Sequence, residues 1–568
     1  MSPTIDVDHD LTARHRGEVF GEALFALLAE LEGDEGWRRK WRRLERVERF
    51  VGGELRRVLE DRSVPCAADE ETVAAGRAAA TALHALGEGA RVDALLGSVA
   101  ELVEEYREAL EQSPPELKAT AQLVFDHERV ILAFLEAGKA GRAEAAEAAV
   151  IGFLEAAGAP EEPPIPEGLA LTPMDGAFRE DPNPALHLLR DRAPVHRDRG
   201  WGGQVVVSRH DDVARLARDL DFWVDPRKSN PGDPVRAFFT EDDLGREPSM
   251  LFLDDPDHRR LRKLVSGPFT PRSVERIRPL IAEVARDLMD AIDERGADEF
   301  DAIDALAAPL PAIVIARLLG VDPKDQARFK AWSVASSEAF FNPFAEEAIK
   351  TAAATARVEL DALFRREIAK RRARPIDDLI GTMVEAEADG ERMSEQEIVT
   401  MCNLLLVAGN VTTTDLIGNG VATLLAHPEQ LEKLRSRPEL MPNAVEEMLR
   451  FDPPVTATGR IAPRDVEIGG IPVRKGESIN ILLSAANRDP EIYPEPDRFD
   501  IERADTHHHS FGGGHHLCMG AHLARAEAQE AIGALLTRCP RLRGPTRPLT
   551  WKLTPGFRGL ESLFVRRG

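Results

Sequence analysis

Ser510-Phe-Gly-Gly-Gly-His-His-Leu-Cys-Met-Gly-Ala-His-Leu-Ala-Arg525 sets a single cysteine, Cys518, between a glycine-rich loop and the start of an amphipathic helix. Glycines let a backbone approach a flat cofactor and aim its N–H groups at a sulfur. The helix start that follows favours negative charge at the same point. On this reading Cys518 is a thiolate, the form of cysteine that binds metal. The plainer reading of a lone cysteine is a buried thiol beside an ordinary glycine turn, and the surrounding pattern has to separate the two. Just upstream, His507, His508 and His509 form a tract that could itself hold a transition ion, although no carboxylate or cysteine cluster accompanies it.

Working outward, the rest of the chain limits what such a site can belong to. At 568 residues the chain exceeds what one hydrophobic core usually serves, so at least two folded units are expected. A net charge of -25 gives no basic footprint for nucleic acid or an anionic membrane. The arginine-dense residues 38–57 read as a solvated helix face, with an acidic partner as the other option. The first residues are polar and acidic, unlike a secretory signal. The densest apolar run, near Leu404–Ala408, is far short of a membrane span, so a cytoplasmic protein is expected. The four cysteines, Cys66, Cys402, Cys518 and Cys539, are scattered without zinc or iron–sulfur spacing, so electrons must come from another chain.

Residues 1–158 are rich in Ala, Leu, Glu and Arg, with apolar residues at helical spacing, and read as a helical bundle. Residues 159–168 carry enough proline to forbid helix and form a semi-rigid linker. Residues 169–568 mix short strands such as Gln204–Ser208 with long helices, a mainly α fold with a small β region. A bundle with His84, His127 and several glutamates raises the question of a di-iron centre. That centre needs Glu-x-x-His, which is absent before residue 160, so the expected role is docking, oligomerisation or recruitment of an electron donor.

Three further constellations lie upstream of Cys518. Glu447 and Arg450 stand one helical turn apart and can pair. His258 and Arg262 stand four residues apart on an apparent helix after Asp254-Asp-Pro-Asp257, where both can reach one anion. Residues 401–415 turn from apolar to polar at Gly409, where a buried helix would prefer alanine, and a local kink is expected there.

Taken together these motifs resemble the cytochrome P450 family. The signature F-G-x-G-x-[HR]-x-C-x-G is present at Phe511, Gly512, Gly514, His516, Cys518 and Gly520. The resemblance covers about residues 169–568 and implies the family's helical, triangular fold with haem b as cofactor and Cys518 as iron ligand. It implies that His258, Arg262, Arg460 and His516 contact the haem propionates. It joins Arg498, in Pro496-Asp-Arg-Phe499, to Glu447 and Arg450 as a structural lock behind the haem. It matches Ala408, Gly409, Thr412 and Thr413 to the oxygen-binding helix motif A-G-x-[DE]-T-T, with Gly409, Thr412 and Thr413 as catalytic residues. It lines the substrate pocket with Val407, Ala408, Val455, Thr456, Ala457 and Thr458, and with the turn at Gly556 and Phe557.

One position departs from the pattern. Val411 stands where the family carries an acid, and in the family the acid and the threonine are taken to deliver the protons that oxygen activation consumes. Valine carries none, so protons must travel through water, through contacts of Asn410, or from the substrate. The expected activity is a haem-thiolate monooxygenase that inserts one oxygen atom from O2 into an apolar terpenoid, fatty or aromatic molecule. Electrons would come from a separate ferredoxin and an NAD(P)H-dependent reductase. A peroxide-driven or non-oxygenating enzyme, or a ligand-sensing haem protein, is the alternative that Val411 keeps open.

Overall fold

The computed structural model describes residues 7–568 apart from 33–34, 63, 65–69, 141, 159–170, 199–203, 240–243, 247, 341, 343–344 and 389. The chain forms two compact units, Met1–Pro164 and Ile165–Gly568. The proline-rich linker expected at 159–168 lies outside the described residues.

Among its described residues the first unit has six α-helices, α1 (Val7–Leu31), α2 (Glu35–Asp61), α3 (Glu70–His84), α4 (Glu88–Gln112), α5 (Lys118–Lys139) and α6 (Ala143–Ala156). Its interior holds two apolar clusters. One gathers Leu24, Phe25, Leu28, Trp41, Val47 and Ile131. The other gathers Leu11, Val51, Leu55, Tyr106 and Val124. Each of α1, α2 and α5 contributes to both clusters, because its apolar residues recur at helical spacing along one face.

In the second unit a long helix, Glu395–Ala426, runs through the middle. Ser394 and Glu397 close its start with a capping box, the Ser394 side chain accepting from the Glu397 N–H while Glu397 reaches back to the Ser394 N–H. Its later half is buried on every side, residues Thr413 to Leu424 without a break, and is mostly apolar or small apart from Asp415 and Asn419. The helices Met441–Phe451 and Ala521–Arg538 pack against it, and Pro271–Arg295 packs against Ala521–Arg538, in one core with Ile417, Val421, Met448 and Ile532.

The β region is small. Strands Val195–Asp198, Gln204–Val207, Ser478–Leu482 and Ala457–Ile461 lie side by side in that order, parallel only between the second and third. Val205, Val206 and Val207 are all buried, since both faces of this strand are covered. Among the described residues no helix is long and apolar enough to cross a membrane.

Candidate functional site

The loop around Cys518 is held by its own backbone. Gly512 N–H donates to His509 O at 2.7 Å, and Cys518 N–H donates to Phe511 O at 2.9 Å. Gly512 and Gly514 sit at φ 71° and 63°, in the left-handed region. A Cβ at Gly514 would lie 2.8 Å from Ala217 O and 2.9 Å from Arg218 Cα, so this turn admits glycine alone. The helix Ala521–Arg538 begins three residues beyond the cysteine.

Cys518 has exposed surface of its own, yet it lies deep enough that burial pushes its thiol pKa up. Both statements hold for an atom facing an internal recess. The Gly520 N–H, Arg262 and Arg525 act against that shift without overcoming it. Burial thus opposes the thiolate while the Gly520 N–H and the two guanidiniums favour it. Iron bound at the sulfur would favour the anion further.

Beside the loop, His258, His515 and His516 bring one ring nitrogen each within 4.8 Å of one another. The His258 and His516 rings are 4.0 Å apart between centroids. His258 Nδ1, His515 Nδ1 and His516 Nε2 are buried without a hydrogen-bond partner. Burial, then the neighbouring His258 and His515, then Arg460 and Arg262 push His516 down to about 2. Burial, His515 and Arg262 push His258 down to about 4. The nearby carboxylate is Asp255, 3.7 Å from His258 Nδ1 and 3.9 Å from His515 Nδ1. A cluster of imidazoles and guanidiniums with so little negative charge suits an anion better than a metal ion, which the two arginines would repel. The carboxylate tails of a haem fit it. Arg262 and Arg460 are anchored at its edge, donating to Leu517 O at 2.6 Å and Ala217 O at 2.8 Å. His507, His508 and His509 do not converge. His507 pairs with Asp505, His508 Nε2 lies 3.2 Å from Glu446 Oε2, and His509 lies at a tilt against His210 with ring centroids 4.5 Å apart.

The helix Glu395–Ala426 is continuous through Gly409. Thr412 Oγ1 donates back to Ala408 O at 2.8 Å, four residues earlier on the same helix. Thr413 is buried, Val411 half-buried, and Asn410 spends its amide on Ser333 Oγ at 3.0 Å while its Oδ1 has no partner. Three residues past Thr412, buried Asp415 pairs with Lys552 at 2.7 Å, and burial pushes its carboxyl up to about 6.

The lock forms with one change of membership. Arg450 and Glu447 are both 0% exposed and pair in a fork, at 2.7 and 2.8 Å. The third guanidinium is Arg503, whose Nε donates to Glu447 Oε1 at 3.2 Å. Arg498 does not take that place. Its neighbour Phe499 turns inward, which sends the Arg498 side chain outward to Glu495 and Asp500. Only its carbonyl joins the lock, accepting from Arg450 at 3.3 Å.

Of the expected pocket residues, Thr456 and Ala457 border a cleft together with Gly556, Phe557, Leu171 and Phe178. Thr456 N–H donates to Gly556 O at 2.9 Å, which couples the two segments. Val455 pairs with Phe557 across a single bridge, while Val407 and Ala408 sit on the long helix outside this cleft's lining.

Sequence reasoning also missed Arg525. It pairs with Glu446 at 2.6 Å, lies over the Phe511 ring at 4.5 Å, and contributes positive potential at Cys518. Burial would raise Glu446, but hydrogen bonds from His508 and Arg525 hold it down to about 2. Its spacing, two helical turns past the cysteine, was the available signal.

Comparison with known proteins agrees with this geometry. The family model described as Cytochrome P450 matches residues 200–541. Cytochrome P450 107B1 of Saccharopolyspora erythraea is 41% identical over 415 residues, covering 71% of this chain and 98% of that protein. The 6-deoxyerythronolide B hydroxylase of the same organism is 37% identical over 388 residues, covering 66% of this chain and 94% of its own length. A crystal structure of P450BioI with an acyl carrier protein carrying hexadec-9Z-enoic acid superposes with a TM-score of 0.63 at 37% identity, covering 69% of this chain and 98% of that one. With its glycine-built loop, anion-seeking histidines and buried Glu447–Arg450 pair, this chain belongs to the cytochrome P450 family of haem-iron monooxygenases, and carries an additional helical region ahead of the family's domain.

Proposed function

We propose that this chain inserts one oxygen atom from O2 into a neutral, apolar small molecule, using haem b held by Cys518 and electrons from a separate ferredoxin and NAD(P)H-dependent reductase. The observation that carries the reading is the exposed sulfur of Cys518 in a glycine-built loop, with the unpartnered ring nitrogens of His258 and His516 beside it and the guanidiniums of Arg262 and Arg460 anchored at their edge. When bound, haem ligated by a thiolate supplies O–O bond cleavage, because the sulfur pushes electron density onto iron.

The chain's own residues do the rest. His258, Arg262, Arg460 and His516 would hold the propionates. Thr412 presents a hydroxyl whose proton is committed to Ala408 O and whose lone pairs remain to accept. With Val411 in the usual acid position, the proton route runs through water at Thr412. Asn410, whose Nδ2 donates to Ser333 Oγ, is a poor substitute because a carboxamide does not release a proton near neutral pH. Apolar and small residues at Val407, Ala408, Val455, Thr456 and Ala457 would exclude water and orient a hydrophobic ligand. The relatives that hydroxylate 6-deoxyerythronolide B and that bind an acyl carrier protein carrying hexadec-9Z-enoic acid make 6-deoxyerythronolide B and a protein-carried acyl chain the first ligands to screen. A cytoplasmic location goes with this reading.

The test is the difference spectrum of dithionite-reduced protein under carbon monoxide. A band at about 450 nm supports a haem-thiolate, whereas a band at about 420 nm in fresh protein, or no haem, overturns it. Val411 favours one second reading, turnover from hydrogen peroxide. It would show as product formed faster from peroxide than from O2 with redox partners.

A further inference from the structure

Within the unit Met1–Pro164, three helices turn polar side chains toward one buried point. Glu18 on α1, Glu48 on α2 and His127 on α5 place one ligand atom each within 4.8 Å of one another, and all three residues are buried. His127 Nε2 is 3.1 Å from Glu18 Oε2, 3.9 Å from Glu48 Oε2 and 3.7 Å from Oε1 of Glu128, which is also buried. The His127 ring is 0% exposed, yet its Nε2 has no hydrogen-bond partner, and neither has Glu18 Oε2. The other ring nitrogen, Nδ1, meets the Val124 carbonyl. A carbonyl only accepts, so that contact puts a ring proton on Nδ1 and makes Nε2 the nitrogen that faces the carboxylates, the arrangement in which a metal takes an imidazole through Nε2.

The backbone makes room for this arrangement. A Cβ at Gly21 would lie 2.5 to 2.7 Å from the Glu48 carboxyl, and one at Gly52 would lie 3.1 Å from Glu18 Cβ. The polar layer separates the two apolar clusters, since Glu18 lies between Leu11 and Leu24, Glu48 between Val47 and Val51, and His127 between Val124 and Ile131. Packing alone would be served at lower cost by apolar residues, because several carboxylates buried together repel one another and lose their hydration. Burial already pushes Glu18 up to about 8 and Glu128 up to about 7.

We propose that Glu18, Glu48 and His127, with Glu128 available as a fourth ligand, bind one divalent first-row transition ion that clamps α1, α2 and α5. One imidazole nitrogen with carboxylate oxygens suits Zn2+, Mn2+ or Fe2+, whereas Ca2+ and Mg2+ take all-oxygen shells. The Glu-x-x-His rule does not detect this site because its ligands come singly from separate helices.

The test uses the untagged, full-length, haem-loaded chain, stripped with chelator and dialysed against Zn2+ or Mn2+, followed by elemental analysis. The expected result is about one ion per chain beyond the haem iron, accompanied by a rise in the temperature at which helical signal is lost. Glu18→Gln and Glu48→Gln are close in shape and remove the anionic ligand, and each is expected to abolish the extra ion while leaving the carbon monoxide band unchanged. Wild-type protein that takes up neither metal overturns the proposal, and so does an ion that both variants retain. The wild-type measurement decides the matter even if a variant fails to fold.

Discussion

At the scale of single residues the chemistry turns on Cys518 and Val411. Cys518→Ala removes the sulfur, and the band at about 450 nm under carbon monoxide is expected to vanish. Retention of that band would place the ligand elsewhere. Val411→Asp restores an acid one residue before Thr412 and is expected to raise product formed per NAD(P)H. Its gain in O2-dependent rate should stay below about a hundredfold, the lower end of what a positioned general acid contributes. An unchanged rate and coupling would show that water at Thr412 already delivers protons as fast as the reaction uses them. Asp415 has a distinct pH signature. Its folded-state pKa of about 6 lies above the ordinary 3.8, so the folded chain holds this proton more tightly than the unfolded one. The stability this group contributes is therefore greatest below about pH 4 and falls as pH rises to about 6, beyond which it is flat. Asp415→Asn is expected to flatten that part of the profile in urea unfolding of the haem-loaded protein.

At the scale of elements, the junction of the helix Met441–Phe451 with the segment ahead of the haem loop separates a structural arginine from a superficial one. Arg450 is fully buried and serves Glu447, Asn487 O and Pro496 O at once. Arg450→Ala leaves a buried carboxylate unpaired and is expected to lower stability by about 3 to 5 kcal/mol. Arg503 touches the same carboxylate from a less enclosed position, and Arg503→Ala is expected to cost about 1 to 3 kcal/mol. Arg498→Ala is expected to change stability by about 0.5 kcal/mol or less, because its partners Glu495 and Asp500 are reached from the surface. Chemical unfolding of the three variants ranks them. An Arg498 effect equal to that of Arg450 would overturn the assignment of Arg503 to the lock.

At the scale of the whole molecule, two units with separate cores imply two partly independent unfolding events. The residues proposed to hold haem all belong to the second unit, so loading it should raise the melting temperature of one event and leave the other in place. Loss of the Soret band followed alongside far-ultraviolet circular dichroism separates the two. A single transition that moves as one with haem loading would show that the units fold as one body.

Much was legible in the sequence wherever function depends on local backbone. The turn at Gly512 and Gly514, the helix start after Cys518, the pairing of Glu447 with Arg450 one turn away, and the mainly helical fold all rest on residues near one another in the chain. Spacing reports such arrangements directly. Contacts between distant segments were decided by the tertiary structure. Arg503 displaced Arg498 because the direction in which Phe499 packs determines which neighbouring side chain faces inward. His515 joined His258 and His516 because a loop and a helix more than two hundred residues apart in the chain are packed together. The protonation of Cys518 depends on desolvation, which depends on depth and not on neighbours in sequence. For the same reason Glu18, Glu48 and His127 escaped every motif. Each is an ordinary residue on its own helix, and they form one group only where α1, α2 and α5 bring them together.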